Sequence, residues 1–493
     1  MKQLTFSIIT TLLIVLYASG QDRMSPELLW SLNRVSPVGL SDDKTSVVFS
    51  VTRYDIEENK STTSYYAIPI EGGEAVAIKN QSTMVADVNL SPDGQHLLAV
   101  KEVKVKDVAG VDFHPDLLKS NVQIYDQLNY RHWDQWEDGA YSHVFVHPVV
   151  NGEPAEGIDI MEGEPYDCPQ QPFGGNEDYI WDPNGSRVLY VTKKKYGTEY
   201  AKSTNSDIYA YDLTTGSTTN LTEDNQGYDT HPAFSSDGTL AWLQMAQEGY
   251  EADKNDLVVL LEGQKVNLTA KWDNTVNGFL WSEDGKSIFL NAPTQGTIQL
   301  FQVKVPKKPG KPSEVVQITE GQFDVAGLVG QAGNTLVIAR NDMNQARELF
   351  TVDLKTGEMT QLTHVNDSIY QSIELSKVEK RMVTTTDNKQ MVTWVIYPPG
   401  FDASKKYPTL LYCQGGPQGA LSQFYSYRWN FQLMAAQGYI VVAPNRRGMP
   451  GYGVEWNEQI SGDWGGQNTV SYTHLTLPTN TVTWGVWVGG GGE

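Results

Sequence analysis

Leu90-Ser91-Pro92-Asp93-Gly94 runs into His96-Leu97-Leu98-Ala99-Val100, a tight turn followed by an apolar strand. Asp-Gly and Asn-Gly accept the positive φ that a hairpin turn needs, so the word marks a turn between two strands. It returns as Trp181-Asp182-Pro183-Asn184-Gly185 before Val188-Leu189-Tyr190-Val191, as Ser235-Ser236-Asp237-Gly238 and as Ser282-Glu283-Asp284-Gly285. Ser41-Asp42-Asp43-Lys44 and Gln331-Ala332-Gly333-Asn334 are weaker copies. A second pattern follows each turn: a strand, a turn, then a strand ending near Leu-Thr. Asp207 to Leu213 passes through Thr214-Thr215-Gly216 to Asn220-Leu221-Thr222, and Glu348 to Leu354 through Lys355-Thr356-Gly357 to Gln361-Leu362-Thr363.

An all-strand repeat of about 50 residues predicts a β-propeller of four-stranded blades; a β-helix repeats over far fewer residues. The predicted propeller occupies about 35–365 with seven blades, within a domain of 21–366. The interval from Gly94 to Gly185 is nearly double and is read as one blade carrying a long insertion. Residues 103–142 hold Asp107, Asp112, Asp116 and the cluster Arg131-His132-Trp133-Asp134-Gln135-Trp136-Glu137-Asp138-Gly139, polar and aromatic without alternation. Long loops of this kind are often functional.

The period breaks near 366. Ile369 to Val378 and Met391 to Tyr397 read as strands, Tyr407 to Cys413 as a short apolar strand, Trp429 to Gln437 as a helix, and Tyr439 to Ala443 as a buried strand. Strand, helix, strand with loops at the strand ends is the beginning of an α/β sheet, so 367–468 is expected to be the N-terminal part of an α/β-hydrolase domain.

The first twenty residues read differently. Lys2 precedes an apolar run from Leu4 to Tyr17 and the small residues Ala18-Ser19-Gly20, the pattern of a secretory signal peptide cleaved before Gln21. The run is shorter than the roughly 20 residues that span a bilayer, so an exported, periplasmic or extracellular protein without stable membrane insertion is expected. Cys168 and Cys413 fall in different expected domains and read as ordinary thiols. The net charge of −22 disfavours a nucleic-acid partner, because phosphate binding needs a basic surface. The eight His are scattered, and neither a metal motif nor a phosphate-cradling glycine loop occurs, so no metal and no cofactor is expected.

Tyr412-Cys413-Gln414-Gly415-Gly416-Pro417-Gln418, Ala443-Pro444-Asn445-Arg446-Arg447-Gly448 and Ile460-Ser461-Gly462-Asp463-Trp464-Gly465-Gly466, behind a propeller, carry a family resemblance. With Arg131-His132-Trp133-Asp134 and Gly197-Thr198-Glu199-Tyr200, they make the chain similar to the prolyl oligopeptidase family of serine peptidases, in its bacterial dipeptidyl and acylaminoacyl peptidase branch. The resemblance covers about 22–468. It implies a peptidase that releases dipeptides from peptide N-termini, or alternatively an acylaminoacyl-peptidase or oligopeptidase. It also assigns Gly416 as a backbone donor to the oxyanion, a role for which glycine lets the chain approach closely. Gln414 stands where the family more often has His and is grouped with the substrate-binding residues.

The nucleophile does not appear. No Gly-x-Ser-x-Gly elbow occurs, and from about Thr469 the sequence becomes Val-Ser-Tyr-Thr-His-Leu-Thr-Leu-Pro-Thr-Asn and then a Trp, Val and Gly tail. Residues 469–493 are therefore expected to be non-native, the chain to stop before its catalytic Ser, Asp and His, and this polypeptide to be inactive. A peptidase that removes dipeptides must hold a free ammonium, for which a partly buried carboxylate is the natural partner. Glu199 is the first candidate and Glu137 or Asp138 the second; Trp133 and Trp136 are candidates for a subsite wall. A non-catalytic periplasmic propeller that binds protein partners is the reading of another class, and it leaves 368–468 without a purpose. An esterase on the same scaffold is a third.

Overall fold

The computed structural model describes residues 22–310, 313–416, 418–467 and 471. The expected leader and, Ser471 apart, the 469–493 tail lie outside the described residues. Each Ser-x-Asp turn is a self-contained module. Ser91 Oγ donates to Asp93 Oδ1 (2.6 Å), and the amides of Gln95 and His96 donate back to Asp93 Oδ1 and Ser91 Oγ. The Ser-to-Asp bond recurs at Ser41–Asp43 (2.6 Å), Ser235–Asp237 (2.5 Å) and Ser282–Asp284 (2.8 Å). Gly94 takes φ +70° there, and in the 41–44 copy Lys44 adopts φ +57° instead.

The Leu-Thr words have an equally local cause. Thr222, Thr269, Thr319 and Thr363 turn their hydroxyls to accept the amides of Ile208, Leu257, Leu300 and Leu349, where the ladder between strands three and four ends. Each hydroxyl then donates to a side chain on strand three: Asp207, Asp256, Gln299 or Glu348. A buried amide that would otherwise lose its partner is satisfied in the same way four times.

These modules bound six antiparallel blades among the described residues, the last two joined into one eight-stranded sheet by a parallel pairing of Ile298 with Asp324. Blade 1 is Arg34–Leu40, Ser46–Asp55, Lys60–Pro69 and Val76–Ile78. Blade 2 is built on His96–Lys104, Ala140–Val150 and Ile158–Asp159, with Leu90 bridged to Leu97 on the inner side. Blade 3 starts at Tyr179–Trp181, blade 4 at Asp229–Phe234, blade 5 at Gly278–Trp281 and blade 6 at Asp324–Ala332. The expectation of seven blades is corrected to six in these residues. One turn module serves each blade, and the double interval from Gly94 to Gly185 is a single blade whose second and third strands are separated by a long excursion. Apolar clusters join blade 2 to 3, 3 to 4, 4 to 5, 5 to 6, and 6 back to 1, the last through Val337, Ala339 and Leu349 against Val47, Phe49 and Ile68. At the seam, Asn33 N donates to Asn366 Oδ1 (2.8 Å) and Asn366 Nδ2 to Asn33 O (2.9 Å), so the chain clasps itself where it enters and leaves the ring.

Ile369 lies in a short helix, Asp367–Ser372, rather than a strand. One helical turn puts Tyr370 and Ile373 on the same side, against Met24, Leu29 and Leu32 of the N-terminal segment. The following sheet has the order Val378–Thr384, Gln390–Ile396, Ile440–Pro444, Thr409–Leu411, with only the last pair parallel. Helix Phe431–Ala436, capped by Asn430, and buried Trp394 cover one face. No helix among the described residues is long and apolar enough to cross a membrane.

The two parts are joined by a buried carboxylate. Asp324, first residue of blade 6, accepts from Ser422 Oγ (2.5 Å), Gln423 N (3.1 Å) and Ile298 N (2.8 Å). Burial pushes its pKa up to about 7 against those hydrogen bonds. Burial likewise raises Asp178 and Glu348 to about 7 and Asp229 to about 6. A carboxyl raised on folding contributes stability that is fully present below its unfolded pKa and is lost as pH rises through the folded value. Urea midpoints are therefore expected to fall between pH 5 and pH 8, and Asp324→Asn should reduce that slope while costing about 1–3 kcal/mol at pH 5 through the acceptor it loses.

Candidate functional site

Strand Thr409–Leu411 ends in a loop that carries Gln414, Gly415 and Gly416 at the surface. Gly416 has φ +114° with open space where a Cβ would stand, so the backbone conformation, and not crowding, calls for glycine. The segment after it is held from two sides. Asn445 is fully buried and clasps Leu421 with both ends of its amide, accepting from Leu421 N (3.0 Å) and donating to Leu421 O (2.9 Å). Asp324 holds the next two residues, and Asn341 Nδ2 donates to Gln423 O (2.9 Å). Gln418 Nε2 donates to Tyr250 OH (2.9 Å) on blade 4 and to Asn457 O (2.9 Å).

The rest of the Asn445-Arg446-Arg447-Gly448 word is also structural. Arg446 Nη2 donates to Gln414 O (2.9 Å), which fixes the backbone just before the two glycines. Buried Arg447 pairs with Asp387 and donates from Nε to Gln459 Oε1 (2.8 Å); the pairing holds the Asp387 carboxyl far below the usual range. Gly448 has φ +94°, and a Cβ there would come within 2.2 Å of Ile460 Cδ1.

The end of the propeller that faces this loop follows from strand order. In an antiparallel blade the turns between strands two and three and the links to the next blade lie at one end, and the Ser-x-Asp turns at the other. Tyr250, Asp273, Gln295 and Asn344 are on the first end and touch the hydrolase portion. The 105–139 excursion, the 160–178 link and the 193–206 turn belong to that same end, on blades 2 and 3.

There Glu137, Tyr141, Asp167 and Tyr200 gather. Asp167 Oδ1 accepts from Ser142 N (2.8 Å), while burial, with Glu137 and Glu102 adding, pushes its pKa up to about 6. Glu137 is half-buried and raised, by burial first and Asp138 second, with His132 and Lys106 opposing. Burial pushes Tyr141 up to about 12, with Glu137 and Asp167 adding to it. Neither Glu137 nor Asp167 is ion-paired among the described residues. The nearby Lys106 ammonium lies 3.5 Å from the Tyr196 ring centroid instead, and burial lowers its pKa.

Glu199 lies exposed on helix Thr198–Lys202, and it is its neighbour Tyr200 that feels Asp167 and Glu137. Asp138 is exposed and caps Ala140 N (2.9 Å). Asp167 carries no signal in Tyr166-Asp167-Cys168-Pro169 and was not legible before the fold. A crevice of about 630 Å³ between Trp272, Phe301 and Trp456 includes none of these groups. No group of three metal-ligating side chains occurs among the described residues.

A set of β blades packed against a mixed sheet whose parallel strand runs into a glycine-turned loop defines a propeller joined to an α/β sheet. The chain belongs to the prolyl oligopeptidase family. Residues 425–472 match the prolyl oligopeptidase family model and 250–392 that of the dipeptidyl peptidase IV N-terminal region. Dipeptidyl-peptidase 5 of Porphyromonas gingivalis is 37% identical over 92% of this chain and 72% of its own length. Dipeptidyl-peptidase 5 of Porphyromonas endodontalis is 38% identical over 92% and 71%. Among solved structures, acylaminoacyl peptidase of Pyrococcus horikoshii shares the fold, with a TM-score of 0.69 at 17% identity over 92% of this chain and 71% of that one.

Asn445→Ala would leave a buried amide of Leu421 without a partner. The expected loss is about 1–3 kcal/mol in urea unfolding, with faster amide exchange confined to 418–424, read by mass spectrometry.

Proposed function

We propose that this chain is the peptide-binding part of an exported serine peptidase whose reaction releases dipeptides from the N-termini of peptides, with Gly416 offering a backbone N–H to the oxyanion. The observation that carries the reading is the pair Glu137 and Asp167, two partly buried carboxylates without an ion-pair partner among the described residues, on the propeller end that faces the Gly416 loop. A substrate ammonium entering between them would be paired out of water, where a charge interaction is strongest. Blocking further entry beyond the first two residues would make the enzyme count from the N-terminus. Similarity to relatives named dipeptidyl-peptidase 5 supports the same activity. Glu199, exposed at the rim, and Gln414, beside the oxyanion loop, serve as outer contacts to the peptide.

Negative charge building on a carbonyl oxygen is stabilised by a preplaced N–H, and losing one such donor costs about 2.7–4 kcal/mol of transition-state stabilisation. The Asn445, Asp324 and Arg446 contacts keep that donor in place before substrate arrives. The 493 residues hold no Gly-x-Ser-x-Gly elbow, so fluorophosphonate labelling of this chain is expected to be absent and binding is the informative measurement.

Calorimetric titration with Gly-Ala should show binding that N-acetylation of the dipeptide weakens at least about tenfold. Glu137→Gln should weaken it comparably. The peptide ammonium stays charged well below pH 7, whereas Asp167 takes up a proton near pH 6. Affinity should therefore hold from pH 7.5 to 7 and fall as pH drops through 6, and Asp167→Asn should flatten that limb. Equal binding of free and acetylated dipeptides at pH 7.5 would refute the ammonium role.

A further inference from the structure

The excursion of blade 2 contains a two-stranded hairpin, Arg131–His132 against Gln135–Trp136, with Trp133 and Asp134 at its tip. Trp133 adopts φ +50°. A tip residue with positive φ is ordinarily Asn, Asp or Gly, and a bulky side chain in that region is strained. Burial does not compensate, because Trp133 is 68% exposed. Its ring meets Phe173 edge to face at 5.8 Å, and Phe173, from the link between blades 2 and 3, is 77% exposed. Two exposed rings from different segments, one on a strained backbone, contribute little to folding. Their apolar surface becomes useful only when something covers it.

The hairpin that carries Trp133 packs beside Glu137. Tyr125, Tyr130 and Trp136 pack together behind the hairpin at 5.6 to 6.2 Å, and Tyr125 OH donates to Glu137 O (2.7 Å). The His132 ring lies 4.8 Å from that of Trp133 and close enough to Glu137 to oppose the rise in its pKa. Glu137 itself follows Trp136 directly in the chain. The first side chain of a peptide leaves the same Cα that bears the ammonium, so it extends only a side chain's length from the carboxylates.

We propose that Trp133 and Phe173 form an aromatic clamp that selects peptides carrying a large apolar, above all aromatic, side chain on the N-terminal residue. The clamp rests on the ammonium reading of Glu137 and Asp167. Edge-to-face and offset contacts with a third ring suit this geometry, and a glycine in that position leaves both rings wet.

The test compares Phe-Ala, Gly-Ala and N-acetyl-Phe-Ala by calorimetry on the 493-residue chain. Phe-Ala is expected to bind about tenfold or more tightly than Gly-Ala. Phe173→Ala and Trp133→Asn, the latter a residue suited to the turn, should bring that ratio close to one without lowering the unfolding midpoint, and Trp133→Phe should retain most of it. A ratio unchanged in the variants overturns the clamp, as does an equal loss for both dipeptides. A change in sedimentation mass with the ratio preserved also overturns it, assigning the rings to contact between copies of the chain. Failure of the ammonium reading has a different signature: free and acetylated Phe-Ala bind alike, and the effect of Trp133→Asn on the Phe-to-Gly ratio is then read on acetylated peptides alone.

Discussion

A carboxylate on the first residue of blade 6 is the most deeply buried of the links between the two halves of this molecule. Asp324 is 2% exposed, yet it accepts three hydrogen bonds, one from its own propeller and two from the segment that follows the Gly416 loop. Hydrogen bonds favour its charged form and burial opposes it, and burial wins. The same segment is gripped one residue earlier by Asn445 from inside the hydrolase sheet. The loop bearing Gly416 thus hangs from a point where both domains must be folded and docked. The placement of the Gly416 backbone is a property of the interface as much as of the loop.

The propeller does two jobs with its two ends. The Ser-x-Asp turns at the far end of four blades are short and satisfy their own polar groups, which lets those blades repeat with little variation. The near end is where the sequence departs from repetition, through the excursion of blade 2, the 160–178 link and the 193–206 turn. Gly197 shows how closely these pieces pack: a Cβ there would come within 2.4 Å of Gln127 Oε1. Carboxylates and phenols that would be unremarkable on separate loops are brought together by that packing and shift one another.

Much of this architecture is visible along the chain because its causes are local. Asp93-Gly94, Asn184-Gly185 and Asp284-Gly285 announce positive φ, and the threonines of the Leu-Thr words cap neighbouring strand ends. The insertion between Gly94 and Gly185, the helix near 431–436 and the strand near 440–444 are legible for the same reason. Ile369 was misread because a two-residue apolar run does not distinguish one helical turn from a strand; contact with Met24 and Leu32 decides it. Period alone does not say where the last blade meets the first, which depends on Val337 and Leu349 meeting Val47 and Phe49.

By itself, the sequence determined the turn chemistry, the strand repeat, the switch to an α/β sheet near 366 and the glycine at 416, since each follows from backbone preferences within a few residues. Only the tertiary structure decided that Asp167 joins Glu137, that Tyr200 rather than Glu199 turns toward them, that Phe173 meets Trp133, and that Asp324 and Asn445 hold the segment after the Gly416 loop. Those roles depend on desolvation and on partners distant in sequence, and neither is encoded in a residue's immediate neighbours.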